Sequence, residues 1–380
     1  MLGKTIVCKF GGSSLANSTN IIGVKKIIDE HLSNKENRVI VVVSAPGVDK
    51  ETMAGETKIT DLLIELHNYY DSPSEFASVW NKIEARFLEI INSLGLEEQD
   101  VLAQVREEIL KERDLDFTKS RGEYINALIL SKYFKLPFVD ARNNIIVSFE
   151  NKVELEITRN HFSTIPHRNF IIPGFYGSCQ GKIKCFSRGG SDITGSIVAI
   201  AVRARIYEKW TDGGNGLVYN YPTDMRSIYR IHYKDAIEMC KKSNVINPAA
   251  LEIIEPFGIR VIVKNTFNPK FSGTKISDLM LFKEISVIFD GFDYVPNGFT
   301  NGEVRNEKDQ NQGAAKVFST AIMYRIDKER TLEMFCEYYD EVLDTPDGTS
   351  HPNIRAFMKT GFEGLKFDND MLVLREKTEK

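Results

Sequence analysis

From residue 4 to about 275 the hydrophobic positions switch repeatedly between two periods. Short β-branched runs occupy 4–10, 38–44, 144–148, 170–173, 182–187, 208–211 and 259–264. Between them, 20–33, 75–95, 99–113, 122–134, 192–205 and 233–243 carry apolar residues at helical spacing. Val39, Ile40, Val41, Val42 and Val43 are apolar on both faces of their strand, as in a strand covered by helices on both sides. The alternation predicts an α/β fold with a mainly parallel sheet. Residues 65–120 interrupt it with two long helical patterns joined at Leu96, Glu97 and Glu98, an insertion suited to covering one side of a substrate cleft. After about 276 the pattern becomes mixed, with segments 284–289, 309–325, 331–343 and 371–375. Two domains follow, 1–276 and a small α+β unit at 277–380.

Composition narrows the classes. The 380 residues are 42% hydrophobic with a net charge of −4, enough to bury a large core and without the basic excess of a nucleic-acid binder. Five cysteines form no CxxC pair, so reduced thiols are expected rather than disulfides or a metal cluster. No run approaches 18 consecutive apolar residues and no signal peptide is read, so no membrane is expected and a cytoplasmic protein is.

Candidate chemistry gathers at strand ends. Lys9-Phe10-Gly11-Gly12-Ser13-Ser14 follows the first strand, where a Gly-Gly turn can aim N–H groups at an anion beside the lysine ammonium. An ordinary strand-to-helix turn uses the same residues. It is neither a Walker A loop nor GxGxxG. A second such turn, Ser187-Arg188-Gly189-Gly190-Ser191-Asp192, feeds a small apolar helix. There Arg188 offers a fork for a carboxylate, and Asp192 suits either the site or a helix N-cap. Together the two turns suggest two anionic groups held face to face with a phosphoryl between them. Glu123, after Arg121-Gly122, suits an ammonium; Thr60 offers a hydroxyl at a helix start. Trp210-Thr211-Asp212 enters a glycine-rich loop where a base or ribose has room. None of the six histidines falls in these motifs, which favours phosphoryl transfer over acid–base hydrolysis.

KFGGSS, VVVSAPG, KITDLL, SRGEYINA, SRGGSDITGSIVA, WTD and VKNTFNPKFSGT stand in an order that resembles the aspartokinases of the amino-acid kinase superfamily, over about residues 4–276. The resemblance implies a three-layer sandwich around an eight-stranded, mainly parallel sheet. It implies ATP-dependent phosphorylation of the β-carboxylate of L-aspartate, towards lysine, threonine and methionine, in a homodimer. It further implies that Lys9 neutralises the transferring group and that Asp192 orients Lys9. Gly11, Gly12 and Ser13 would hold phosphates. Arg188 would pair with the α-carboxylate and Glu123 with the ammonium, with Ser191 and Thr60 adding hydrogen bonds. Thr211, Asp212, Tyr219 and Lys264 would meet the nucleotide, whose phosphates would carry Mg²⁺.

The chain departs from the pattern in three places. Loop 213–223 reads GGNGLVYNYPT and lacks the family's arginine after proline; Asn247-Pro248 replaces a His-Pro pair. Residues 277–380 are too few for the usual two ACT domains, so one degenerate ACT-like module or a dimerisation cap is expected, with little response to lysine or threonine. A specialised kinase for another amino or carboxylic acid, and a regulatory pseudo-kinase, are the competing functions.

Overall fold

A computed structural model describes residues 4–277 and 292–374, apart from 50–52, 54, 151, 188, 215, 222, 223, 244, 324 and 336. The chain divides into two compact units, Met1–Asp278 and Leu279–Lys380.

In the first unit, β1 (Thr5–Phe10), α1 (Ser18–Ser33) and β2 (Arg38–Val43) are followed by a helical run. That run is α2 (Ile59–His67), α3 (Pro73–Ser93), α4 (Asp100–Glu112) and α5 (Leu115–Phe134). Next come α6 (Ala141–Asn144), α7 (Leu155–Ser163), β3 (Phe170–Pro173), β4 (Tyr176–Cys179), β5 (Lys182–Cys185), α8 (Gly190–Ala201) and β6 (Ile206–Thr211). The unit ends with β7 (Val218–Tyr221), β8 (Asp224–Ser227), β9 (Arg230–Ile231), α9 (Tyr233–Lys242), α10 (Pro248–Ile254), β10 (Arg260–Asn265) and β11 (Thr274–Ile276). The main sheet has seven strands in the order β3-β2-β1-β6-β10-β11-β9, parallel except between β10 and β11.

Successive strand residues face opposite sides of the sheet, and this parity organises the site. Lys9 pairs in register with Lys209, and Cys8 with Glu208. The Lys9 face meets α8 through Asp192, and the Cys8 face meets α1 through His31. Every residue of α8 is buried, as a helix between sheet and neighbours requires.

Several expectations are corrected. The sheet has seven strands among the described residues, not eight, because 182–185 pairs with β4 in a separate hairpin and 144–148 forms no strand. In that last segment only single bridges form, Ile146 to Ser178 and Val147 to Val153, while the Ile146 N–H is taken by the Thr158 hydroxyl. The helix expected from 122 begins at Leu115, because the Asp114 side chain caps it by accepting from the Phe117 N–H. Glu123 is therefore inside a helix. The insertion has the expected long helices, α3 and α4, joined by 94–99.

In the second unit β12 (Phe292–Tyr294), β13 (Phe299–Asn301) and β14 (Val304–Asn306) precede four helices, α11 (Gln312–Met323), α12 (Lys328–Glu333), α13 (Glu337–Asp344) and α14 (Pro352–Thr360). Strands β15 (Leu365–Phe367) and β16 (Leu372–Leu374) close it, β15 on β13 and β16 on β12. Phe318 stacks at the centre of its core, 4.8 Å from Phe357 and 5.3 Å from Phe335 between ring centres. The described order is not the strand–helix–strand–strand–helix–strand order of an ACT module; segment 284–289 lies outside the described residues. Among the described residues, no helix is long and apolar enough to cross a membrane.

Candidate active site

The central strands β1 and β6 end beside the N-terminus of α8, the edge where open α/β sheets hold ligands. Asp192, in the first turn of α8, is buried between two lysines. Its Oδ1 accepts from Nζ of Lys9 at 2.7 Å and from Nζ of Lys209 at 2.8 Å, and its Oδ2 accepts from the Asn247 N–H at 3.1 Å. Burial opposes the charge on Asp192, and Lys209 and Lys9 overcome it, holding the carboxyl well below the usual range. Burial draws Lys9 below the ordinary lysine value; Asp192 works against that shift and Lys209 adds to it.

Glu123 faces this cluster from α5. Burial pushes its carboxyl up to about 8, although the Ala45 N–H and the Lys9 charge favour the ionised form. Its Oε2 is buried and has no hydrogen-bond partner among the described residues, as suits a group awaiting a cationic ligand. Thr60 is the second residue of α2, which packs on α5 at Gly122: a Cβ there would meet Ala45, Ile59 and Leu63. Ser191 is buried in the first turn of α8, against Gly174. Arg188 lies outside the described residues.

Gly12 of the Gly-Gly turn is required by a close approach, since a Cβ there would lie 2.9 Å from the Ala45 carbonyl oxygen. Gly12 has an ordinary helical backbone, with φ −60°, and its carbonyl accepts from the Gly47 N–H at 2.8 Å. A Cβ on Gly47 would lie 2.6 Å from the Gly12 carbonyl carbon, so the loop after β2 can seat on the turn only with glycine there. Gly11 donates its N–H to the Trp210 carbonyl at 3.3 Å, tying the turn to β6. Ser13 opens a short 3₁₀ turn, Ser13–Leu15. The turn thus brings Gly11 to the two lysines and leaves Gly12 under the next loop.

The other nucleotide candidates divide between the faces. Thr211 ends β6, with Oγ1 3.3 Å from Asp212 Oδ1, and Asp212 begins the exposed loop. Tyr219 lies on β7, opposite Arg226 in register. Lys264 is in register with Trp210 and so faces away from Lys9: its Nζ sits 4.5 Å over the Trp210 ring and 3.9 Å from Glu208 Oε1. On that same face Nε2 of His31 and Oε2 of Glu208 are 2.8 Å apart.

Sequence reasoning missed two contributors. Lys209 was signalled by a lysine in an otherwise buried central strand, IYEKWT, whose register against β1 was not visible. Arg86 had no local signal; it sits on α3 and reaches the loop after β2. Asn247, noted only as a departure, contributes its backbone to Asp192 while its side chain caps α10 by accepting from the Ala249 N–H at 2.9 Å.

A family model described as Amino acid kinase family matches residues 4–265, and one described as HopJ type III effector protein matches 265–372. Aspartokinase 3 of Bacillus subtilis (strain 168) is 32% identical over 293 residues, covering 71% of this chain and 63% of that protein. An aspartokinase of Rickettsia felis is 29% identical over 286 residues, covering 72% and 60% respectively. The chain thus spans under two thirds of these curated relatives' length. The crystal structure of Clostridium acetobutylicum aspartate kinase superposes with a TM-score of 0.66 at 30% identity, over 84% of this chain and 73% of that one. On the match over residues 4–265 and this fold, the chain belongs to the amino acid kinase family, within which it is similar to the aspartokinases.

Proposed function

We propose that this chain is an aspartate kinase, transferring the γ-phosphoryl group of ATP to the β-carboxylate of L-aspartate to give 4-phospho-L-aspartate. The observation that carries the reading is the buried Lys9–Asp192 pair at the α8 N-terminus, with the Glu123 carboxyl, whose Oε2 has no partner among the described residues, facing it. A carboxylate acceptor is already ionised at neutral pH, so the reaction needs no general base. An oxygen of the β-carboxylate attacks the γ-phosphorus while the bond to ADP breaks. Rate enhancement then comes from positioning and from neutralising charge on the transferring group.

In this reading Glu123 takes the ammonium of aspartate and Arg188 its α-carboxylate, with Ser191 and Thr60 adding hydrogen bonds. Lys9 neutralises the phosphoryl oxygens, and the first-turn N–H groups of α8 add the positive end of the helix dipole. Gly11, Gly12 and Ser13 form the turn beside the phosphates. Thr211, Asp212 and Tyr219 line the approach of the nucleotide, whereas Lys264, expected there from the sequence, packs on Trp210 and Glu208 on the other face of the sheet. Both oxygens of Asp192 are already occupied by donors, so a magnesium ion would ride on the nucleotide's own phosphate oxygens, whose charge it would neutralise. A homodimer, a cytoplasmic location and a place at the head of lysine and threonine synthesis complete the reading.

The test is steady-state ADP release with Mg·ATP and L-aspartate, D-aspartate, L-glutamate or small dicarboxylates as acceptors. Release that depends on L-aspartate supports the assignment. A clear preference for another acceptor would replace the substrate, and silence with all of them would reject the kinase.

A further inference from the structure

The face of the sheet turned away from Lys9 holds a second cluster of polar groups. Cys8 and Glu208 stand opposite each other on β1 and β6, and His31 reaches them from the last turn of α1. Cys8 and Glu208 are buried, and the His31 side chain is 19% exposed. Oε2 of Glu208 is 3.6 Å from Sγ of Cys8 and 2.8 Å from Nε2 of His31. The three atoms all lie within 4.8 Å of one another, and among the described residues no other three Cys, His, Asp or Glu side chains gather this closely. Around them the same face is apolar, with Ile6, Phe10 and Trp210 buried. Packing under α1 therefore asks for apolar side chains, and a buried thiol, imidazole and carboxylate cost free energy that a ligand can offset. The three residues come from separate segments, so no spacing in the sequence announces them.

Sulfur, imidazole nitrogen and carboxylate oxygen together form a donor set suited to Zn²⁺. Tetrahedral bonds from zinc to such atoms place the ligand atoms about 3.4–3.6 Å apart. Cys8 and Glu208 already stand at that separation, and a small rotation of His31 opens the shorter one. A thiolate and a carboxylate neutralise the ion. Glu208 is also held by outer partners, as metal-bound carboxylates are: the Trp210 Nε1–H donates to Oε2 at 2.9 Å, and Nζ of Lys264 lies 3.9 Å from Oε1. We propose that Cys8, His31 and Glu208 form a zinc site, with a water as fourth ligand on the exposed side of His31. The hydrogen-bonded triad is its metal-free state. Binding releases the Cys8 thiol proton and the proton held between His31 and Glu208. The ion then ties β1, β6 and α1 together, directly beside Lys9 and Lys209 in the chain. This inference does not rest on the phosphoryl-transfer reading, which assigns none of the three residues.

The experiment titrates the full-length chain, reduced and stripped of metal by a chelator, with Co²⁺ as an optical stand-in for zinc. The expected result is about one equivalent bound, with tetrahedral d–d bands and a sulfur-to-cobalt charge-transfer band, all bleached when Zn²⁺ displaces the cobalt. Excess Zn²⁺ should raise the melting temperature by about 3 °C or more. Cys8→Ser, which keeps a hydroxyl donor for Glu208, should lose the charge-transfer band, and His31→Gln should weaken Co²⁺ binding at least about tenfold. A control carrying Cys179→Ser and Cys185→Ser should keep the band. A wild-type chain without the band, or a band that survives in Cys8→Ser, would overturn the proposal. If Cys8→Ser fails to fold, the other two variants decide: unchanged affinity in His31→Gln, or loss of the band in the control, overturns it equally. Because the readout is metal binding, a chain that takes cobalt but releases no ADP sinks the kinase assignment and leaves the zinc site standing.

Discussion

Nη2 of Arg86, on α3 of the helical insertion, donates to the backbone carbonyl of Gly47 at 2.9 Å. Arg86 is buried, and its Nη1 pairs with Glu56. The insertion is thereby pinned to the loop that seats on the Gly-Gly turn. A buried guanidinium bonded to a backbone carbonyl and a carboxylate is costly to remove. We expect Arg86→Met to lower stability by about 2 kcal/mol and to raise KM for the nucleotide several-fold with a smaller effect on kcat. Chemical denaturation and steady-state kinetics check it; unchanged values for both would mean the pin is dispensable.

The same turn predicts a steric outcome. Gly47→Ala would place a methyl 2.6 Å from backbone and force the loop off the turn. A loss of about 3 kcal/mol is expected from this overlap. Thermal unfolding indistinguishable from wild type would contradict the packing described here.

In the proposed reading, Glu123 makes substrate binding depend on pH. Its carboxyl is pushed up to about 8 by burial, against an ordinary 4.5, so the empty site holds a proton at neutral pH. The folded chain binds that proton more tightly than the unfolded chain, so this group's contribution to stability is full below 4.5 and is lost as pH rises through about 8. An ammonium ligand needs the carboxylate and must displace the proton. KM for L-aspartate should therefore fall as pH rises from 6 to 8, by up to about tenfold per unit. Glu123→Gln should raise KM and flatten the profile. A wild-type KM independent of pH in that range would exclude this role for Glu123.

On the opposite face of the sheet, the half-buried His31 and the buried Glu208 form an ion pair that the proposed chemistry does not use. Burial opposes the charge on Glu208, and His31, Lys264 and the Trp210 N–H overcome it, holding the carboxyl down to about 2. That contribution is present above about 4.5 and is lost as pH falls through about 2. His31→Gln removes the principal counter-charge, so acid unfolding should shift to higher pH and stability at pH 7 should drop by about 3 kcal/mol. Circular dichroism across an acid titration reads the shift; an unmoved midpoint would show that Lys264 and Trp210 suffice.

Much of this was legible in the sequence, for physical reasons that differ by element. The uninterrupted apolar run Val39 to Val43 identifies a strand buried on both faces, and it is one. Lys9 and Asp192 stand beside glycine turns that mark strand-to-helix junctions, and the fold brings them to 2.7 Å. Lys209 could not be read, because its meaning lies in its register opposite Lys9 across two strands separated by some 200 positions. Arg86 was invisible because two of its partners are backbone carbonyls, which leave no sequence trace, and its carboxylate partner Glu56 lies 30 positions away. The start of α5 was misplaced because the Asp114 cap precedes the apolar periodicity that defines the helix. The tail's strands are three residues each, too short to impose a period of two.

The most direct test of the kinase assignment is to trap the product. The chain is incubated with Mg·ATP, L-aspartate and hydroxylamine, which converts an acyl phosphate into a stable hydroxamate. The account predicts aspartate β-hydroxamate that requires both ATP and L-aspartate, with Lys9→Ala reducing its rate at least about a hundredfold. Folded, nucleotide-binding protein that yields no hydroxamate, or a Lys9→Ala variant that yields as much as wild type, would contradict it.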